Sequence, residues 1–213
     1  MSRDSEIKNQ EMLESKPYIT KNELSFLLNK AAKNLDKKIT QLLKKEYLLT
    51  LKKGLYTTKA YYLLNKNRFP EFIANFLYYP SYLSLEYVLQ QENLIPEAVF
   101  QYTSISLKSP RIFKNKIGVF NYRKIKESLF TGYNYRMFFQ NYQIKIASKA
   151  KALFDYLYLK PFTASFSYEL FSDLRINWNN FTKQDLFEFK NFALLSKSKK
   201  MLEIVKMMEE KIL

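Results

Sequence analysis

The chain has 213 residues, of which 47% are apolar, and it carries a formal net charge of +15 at pH 7. This length and apolar content are enough for one large domain or two smaller domains with buried cores. Histidine and cysteine are absent, which excludes disulfide bonds, zinc sites of the usual type and catalysis by histidine or thiolate. The three glycines, Gly54, Gly118 and Gly132, do not form a loop that would bind nucleotide phosphates. We therefore expect no metal, no cofactor and no enzymatic activity.

The positive charge is concentrated in two blocks of the chain. Residues 30–59 contain nine lysines against two acids, a net charge of +7, and residues 101–151 contain eleven Lys or Arg residues against one acid, a net charge of +10. Such blocks attract polyanions and make their binding depend on salt. A general lysine bias is the alternative explanation, but it would spread the lysines evenly.

The hydropathy of the sequence bears on its location. There is no apolar run long enough to span a membrane, and the first thirty residues are polar and include acids. We therefore expect a cytoplasmic protein with neither a membrane span nor a signal peptide.

Two helices are predicted before residue 30. The first spans residues 3–15 and ends at Pro17. Thr20 and Glu23 then have the spacing of a capping box, which predicts a second helix over residues 21–29.

The third predicted helix, which begins near Asn34, has one apolar and one basic face. Its apolar residues recur at i, i+4, i+7 and i+8, which places them on a single face. They are Leu35, Ile39, Leu42 and Leu43. Residues 47–52 and 55–57 then predict two strands, joined by a turn in which Gly54 supplies a positive φ. A basic helix followed by a short basic hairpin is the arrangement of a winged helix-turn-helix.

We expect this module, residues 1–60, to bind double-stranded DNA. Asn and Gln side chains can read adenine edges, and Lys can read guanine or hold phosphate. The candidate groove-facing residues are Asn34, Lys37, Lys38 and Gln41, and the candidate phosphate-binding residues are Lys44, Lys45, Lys52 and Lys53. Any single lysine is by default a solvated surface residue, but the group beside a hairpin favours DNA binding.

A second, mixed domain is predicted over residues 61–213. A helix is predicted from Arg68, with a proline in its first turn, and a further short helix from Ser84. Residues 99–147 alternate with period two and are rich in aromatics, which predicts three to five antiparallel strands. Helical periodicity returns at Lys149 and continues to the end. The predicted fold class is α+β: an N-terminal winged helix-turn-helix, then a mixed domain with an antiparallel sheet and C-terminal helices.

The second basic block offers an alternative functional surface for RNA or a protein partner. Aromatics on strands with flanking cations can stack single-stranded bases, although alternate aromatics on strands are more often core residues. The basic candidates are Lys108, Arg111, Lys114, Lys116, Arg123 and Lys124. The aromatic residues among them are Tyr102, Phe113, Phe120, Tyr122, Tyr133, Tyr135, Phe138 and Phe139.

Asp155 lies within the apolar helix predicted after residue 149. A buried carboxylate needs partners, and we expect Arg111, Arg123 or Arg136 to supply one. A structural ion pair is the expected role, with a functional site as the minority alternative.

A series of short segments between residues 17 and 160 resembles one known family. Two are specific, Pro-Ser-Tyr-Leu-Ser-Leu-Glu at 80–86 and Leu-Ile-Pro-Glu at 94–97, whereas the helix and hairpin alone are generic. The other segments are Gly54-Leu55-Tyr56, Ile73-Ala74-Asn75, Thr103-Ser104, Gly118 to Tyr122, Leu129 to Tyr133, Ile146-Ala147-Ser148 and Lys151 to Asp155. In this order and spacing they resemble the AbiEi antitoxins of type IV toxin–antitoxin systems, which are described as transcriptional regulators of viral defence.

This resemblance implies a protein with two parts. The N-terminal winged helix would bind inverted repeats at its own promoter, as a monomer or a DNA-dependent dimer, and repress its operon. The C-terminal domain would counteract a nucleotidyltransferase-like toxin of an abortive-infection system without forming a stable complex. Lys149-Ala150 stands where the family usually has Pro-Glu, which makes this edge more basic. An orphan regulator without a toxin is the remaining alternative.

Overall fold

The computed structural model describes residues 3–30, 32–139, 142–162 and 166–212. Its fold is α+β, with a three-stranded and a six-stranded sheet, so the predicted fold class is confirmed at this level. The chain divides into two compact units. Unit 1 comprises residues 1–70 together with 113–118, and unit 2 comprises residues 71–112 together with 119–213. The boundary predicted after residue 60 falls within unit 1.

Unit 1 begins with three helices, followed by a hairpin and a fourth helix. The helices are α1 (Arg3–Glu14), α2 (Lys21–Leu28), α3 (Ala32–Lys44) and α4 (Lys59–Leu64), and the strands are β1 (Ile19–Thr20), β2 (Leu48–Lys52) and β3 (Leu55–Thr58). All strand pairs are antiparallel, in the order β1-β3-β2. Helices and a hairpin therefore occur where the sequence predicts them, whereas β1 and α4 were not predicted.

Local chemistry explains where these elements of unit 1 begin. Thr20 and Glu23 form the predicted capping box, in which each side chain bonds the other residue's backbone N–H. Thr58 caps α4 by accepting a hydrogen bond from the Tyr61 backbone N–H. The apolar faces of α1 to α3 meet β1 and β2 in one core, formed by Leu13, Ile19, Leu24, Leu27, Leu35, Ile39 and Leu48.

Unit 2 is built on the six-stranded sheet. Its strands are β4 (Ser81–Leu83), β5 (Gln101–Ser106), β6 (Arg111–Lys114, which ends within unit 1), β7 (Val119–Lys124), β8 (Tyr133–Phe139) and β9 (Tyr142–Ala147). Its helices are α5 (Phe69–Leu77, which begins within unit 1), α6 (Leu85–Gln91), α7 (Lys149–Leu159), α8 (Phe166–Tyr168, continued by a π-helical turn over Glu169–Asp173), α9 (Lys183–Ser196) and α10 (Lys199–Ile212). Short 3-10 turns occur at Glu127–Leu129 and Trp178–Asn180.

The prediction of an antiparallel sheet in this domain is wrong, because the sheet is mixed. The strand order is β6-β7-β5-β4-β9-β8, in which β5 pairs with β7 and β4 with β9 in parallel. Pairs β4–β5 and β8–β9 are antiparallel. Period-two alternation shows which side chains lie on the same face of a strand. Parallel and antiparallel strands share this period, so the alternation does not predict strand direction. The central strand β4 was missed because all three of its residues are buried and show no alternation.

Helices cover both faces of the sheet. On one face, Phe72 of α5 stacks on Phe138 of β8 with ring centroids 4.4 Å apart. On the other, Asp155 of α7 accepts a 2.9 Å hydrogen bond from the Tyr82 hydroxyl of β4. Helix α9 packs against α7, and α10 packs against α9. None of the helices in the described ranges combines the length and apolarity needed to cross a bilayer.

Candidate nucleic-acid interface

Helix α3 has a buried face and an opposite polar face. Leu35 and Ile39 are buried in the core of unit 1, and Leu42 and Leu43 pack partly against it. At about 100° per residue, the six predicted polar residues fall within an arc of about 120° on the far side. They are Asn34, Lys37, Lys38, Gln41, Lys44 and Lys45, of which all but Lys38 are exposed. The predicted separation of the two faces is therefore present.

Two residues of this polar face differ from the others: Lys45 lies just beyond α3, and Lys38 is half-buried. Lys45 follows the last residue of α3, but its backbone N–H still donates to the Gln41 carbonyl at 3.0 Å, so it continues the helical turn. Lys38 is half-buried, and it lines a cavity of about 640 Å³ together with Leu13, Leu42 and residues of α2. At about 100° per residue, Lys38 lies at the edge of the polar face, about 40° from Leu42 of the apolar face.

Local hydrogen bonds close the end of α2, over Ser25 to Lys30. Asn29 has a left-handed backbone with φ +47, and its N–H donates to the Phe26 carbonyl at 3.2 Å. The Ser25 hydroxyl donates to the Lys30 carbonyl at 2.6 Å, and the Lys30 N–H donates back to the Ser25 carbonyl at 3.1 Å. These bonds close the C-terminal end of α2 and fix the conformation of Asn29 and Lys30.

The β2–β3 hairpin carries the other two predicted residues of this interface. Lys52 is half-buried and Lys53 is exposed at the tip. Gly54 has φ +76, as predicted, and its carbonyl accepts a 3.0 Å hydrogen bond from the Lys21 N–H at the start of α2. The hairpin tip is thereby anchored to the helix that precedes α3.

Glu46 directly follows Lys45 at the end of the polar face of α3, and two lysines neutralise it. Its carboxylate lies 2.7 Å from Lys59 Nζ and 2.8 Å from Lys116 Nζ. The hydrogen bonds from Lys116 and Lys59 lower the pKa of Glu46 to about 2. The carboxylate stays ionised at neutral pH and is compensated locally, so it subtracts little from the positive field of the neighbouring lysines.

The six basic candidates of the second block do not all lie in one compact unit. Lys114 and Lys116 belong to the 113–118 segment of unit 1. Asn115 organises this segment: its side-chain oxygen accepts from the Ile117 N–H at 2.8 Å, and its Nδ2 donates to the Leu51 carbonyl at 2.9 Å. The other four, Lys108, Arg111, Arg123 and Lys124, lie in unit 2.

The unit 2 candidates have different surroundings. Lys108 Nζ and the Arg111 guanidinium lie 5.4 and 5.9 Å from the ring centroid of Tyr78. Arg123 Nη2 donates at 3.0 Å to the Leu159 carbonyl, where α7 ends, so it stabilises a helix C-terminus. Lys124 is exposed. These residues therefore do not share one type of environment.

The aromatic residues of the second block are partly core. Phe120, Tyr122 and Phe138 are buried, and Tyr122 donates a 2.6 Å hydrogen bond to a backbone carbonyl of α5. Such rings cannot stack on a ligand. Tyr135 and Phe139, in contrast, are exposed on β8.

Asp155 is fully buried, but the expected arginine partners are wrong. Its partner is Lys151, one helical turn earlier on α7 and equally buried. The second carboxylate oxygen accepts from the Tyr82 hydroxyl at 2.9 Å and the Ser84 hydroxyl at 2.8 Å. The i, i+4 spacing was the available sequence signal, but lysine is almost never fully buried unless it is paired.

We call the ion pair and the two hydroxyl donors the buried Asp–Lys cluster, formed by Asp155, Lys151, Tyr82 and Ser84. Burial determines the pKa shifts of its two charged residues. Desolvation raises the pKa of the Asp155 carboxyl and lowers that of Lys151, while each residue opposes the shift of the other. The Lys151 ammonium also lies 5.0 to 5.6 Å from the ring centroids of Tyr82, Phe154 and Phe192. With its carboxylate oxygens bonded and its ammonium enclosed by rings, the cluster is suited to holding β4 against α7.

The described residues include no group of three or more acidic side chains that could hold a metal ion. Comparison with known proteins adds no family assignment: no protein-family model matches the sequence, and no curated protein matches it significantly.

Proposed function

We propose that the chain is a cytoplasmic DNA-binding transcriptional repressor in which unit 1 acts as a winged helix-turn-helix. In this proposal α2 and α3 are the helix-turn-helix, α3 enters the major groove, and the β2–β3 hairpin is the wing. One observation carries it: opposite the buried Leu35 and Ile39, α3 exposes a continuous polar face beside a lysine-tipped hairpin.

The side chains of this face suit two kinds of DNA contact, with bases and with phosphates. Asn34 and Gln41 carry amides that can form two hydrogen bonds with the major-groove edge of an adenine, whereas lysines mostly contact phosphates and position the protein. Lys52 and Lys53 at the hairpin would contact the neighbouring phosphates. Inverted repeats at the promoter would then bring two copies of the chain onto one site.

The double variant Lys52→Ala/Lys53→Ala should weaken binding to all duplexes alike. The plot of log K against log salt has a negative slope, and removing one or two phosphate contacts should make it shallower by about one to two units. The measurement is a fluorescence-anisotropy titration with a labelled duplex from the region upstream of the chain's own gene, and with a scrambled duplex, over a series of salt concentrations.

Two controls make this titration decisive. Lys183→Ala/Lys199→Ala removes the same charge from exposed positions of α9 and α10 and should leave the slope unchanged. Gln41→Ala should reduce the preference for the promoter duplex over the scrambled one rather than the salt slope. An unaltered affinity and slope in the hairpin variant would remove the basis for the wing.

We further propose, from the resemblance over residues 17–160, that the protein is an antitoxin of a type IV system. Unit 2 would then counteract a nucleotidyltransferase-like toxin without a stable complex. Without such a toxin, the same DNA-binding unit would make the chain an orphan regulator. The burial of Phe120, Tyr122 and Phe138 disfavours the other alternative, an RNA-binding surface spread over the whole second basic block.

Full-length variants should separate repression from antitoxin activity. The Lys52→Ala/Lys53→Ala variant should lose repression of a promoter reporter but still restore growth to cells that express the toxin gene adjacent to this chain's gene. The two readouts are reporter output and colony counts at matched protein levels. Loss of growth rescue together with repression would show that neutralisation depends on DNA binding, contrary to the proposal.

A further inference from the structure

Three tyrosine rings surround one lysine at the outer edge of the six-stranded sheet. Lys145 of β9 pairs in register with Tyr135 of the edge strand β8. The Lys145 ammonium lies 4.9 Å from the ring centroid of Tyr133, 5.6 Å from that of Tyr135 and 5.8 Å from that of Tyr79. Tyr79 is 65% exposed and Tyr135 is 60% exposed. We call these four residues the tyrosine–lysine patch.

A ring contact and a hydrogen bond with neighbouring residues hold the patch in place. Tyr133 packs on the buried Tyr82 with ring centroids 5.0 Å apart, and the Lys145 backbone N–H donates to the Asn75 side-chain oxygen at 2.7 Å. The ammonium attracts all three rings through cation–π contacts. The exposed rings are therefore pre-positioned, which lowers the ordering cost of binding a ligand.

The patch carries the positive charge of Lys145. Lys145 forms no ion pair with any residue in the described ranges. The carboxylate of Glu71 is paired with Arg136, whose side chain alternates to the opposite face of β8. Exposed rings with a cation among them favour a ligand that has both flat bases and negative charge.

We propose that the tyrosine–lysine patch binds single-stranded nucleic acid, with bases stacked on Tyr79 and Tyr135 and a phosphate near Lys145. Stacking on aromatic rings accepts any base, and flanking cations follow the backbone. A second copy of the chain is a poorer occupant, because the net charge of +15 makes two copies repel each other. Met137, exposed on the same side of β8 as Tyr135, extends the platform.

The test uses the full chain and two labelled probes, an oligouridylate and a duplex DNA, in anisotropy titrations. Tyr79→Ala/Tyr135→Ala should weaken oligouridylate binding about tenfold or more, since each stacked base contributes substantially, and should leave duplex binding unchanged. Lys52→Ala/Lys53→Ala should weaken duplex binding far more than oligouridylate binding. Phe100→Ala, which removes a 90% exposed ring of unit 2 outside the patch, is the matched control and should change neither.

A second variant reports on stacking directly. Tyr135→Trp keeps a stacking ring, so it should bind oligouridylate as tightly as the native chain, and its added fluorescence should be quenched on binding. The control Phe100→Trp should show no such quenching. The second readout keeps the result interpretable if the double alanine variant fails to fold.

Several outcomes would overturn the proposal. They are the absence of oligouridylate binding by the native chain, equal losses for both probes in the double alanine variant, or unquenched indole fluorescence of the bound Tyr135→Trp variant. Sedimentation showing a dimer that the double alanine variant loses would assign the patch to self-association instead. Failure of duplex binding alone would contradict the proposed repressor function and leave this site intact.

Discussion

Replacing Asp155 with alanine should lower the free energy of unfolding of unit 2 by about 3–5 kcal/mol, the range for breaking a buried ion pair by removing one partner. The variant leaves the Lys151 ammonium buried without its carboxylate and removes the acceptor for the Tyr82 and Ser84 hydroxyls. The single tryptophan, Trp178, lies in unit 2, so its fluorescence during urea unfolding reports on this unit.

Two comparisons identify the cause of this loss. Lys151→Met/Asp155→Ala removes both charges and should be clearly more stable than Asp155→Ala alone, because no buried charge is left uncompensated. The exposed pair Lys190–Glu209 is the matched control, and Glu209→Ala should cost no more than about 1 kcal/mol. If Asp155→Ala and Glu209→Ala were equally mild, the buried Asp–Lys cluster would not be an important stabilising element.

Replacing Gly132 with alanine should destabilise the protein more than the same change at Gly54. Both glycines have a positive φ, +75 and +76, so each substitution should cost about 1–2 kcal/mol in backbone strain. At Gly132 the added Cβ would also lie 2.4 Å from Phe192 Cζ and 2.9 Å from Lys151 Cδ, whereas at Gly54 nothing lies within 4 Å. Overpacking of this kind typically adds about 1–3 kcal/mol.

Thermal unfolding followed by far-ultraviolet circular dichroism reports on both units and measures this difference. Gly54→Asn serves as a further control, because asparagine tolerates the left-handed region and should cost less than alanine there. Phe192→Leu in the Gly132→Ala background should recover part of the loss by shortening the side chain that clashes. Equal losses for Gly54→Ala and Gly132→Ala would show that strain alone matters at both positions.

The elements that could be predicted from sequence are those encoded by neighbouring residues. Thr20 and Glu23 specify a helix start within one turn of chain, and the spacing of Leu35 and Ile39 specifies which face of α3 is buried. The polar face of α3 follows directly, because it is what remains opposite those leucine and isoleucine side chains. The cavity beside Lys38 could not be predicted, since residues of α1 and α2 line it together with α3.

Other features depend on partners far apart in the chain. The strands β4 and β9 pair in parallel across more than sixty residues, and this pairing brings Tyr82 above α7 and Lys145 beside Tyr79. No local pattern encodes such a register. The expected arginine partner for Asp155 was wrong for a related reason: hydropathy treats every lysine as exposed, although Lys151 pairs within the core.

The six-residue return of 113–118 to unit 1 has a consequence for engineering this protein. A compact unit encoded by one uninterrupted stretch of gene can be exchanged or deleted as a single segment, but unit 1 is encoded by two separate stretches. A chimera that exchanged only the first seventy residues would keep Asn115 and Lys116 but replace their partners. The contacts of these two residues with the Leu51 carbonyl and with Glu46 would then be mismatched. Exchange of unit 1 for a related unit therefore requires both stretches to be transplanted together.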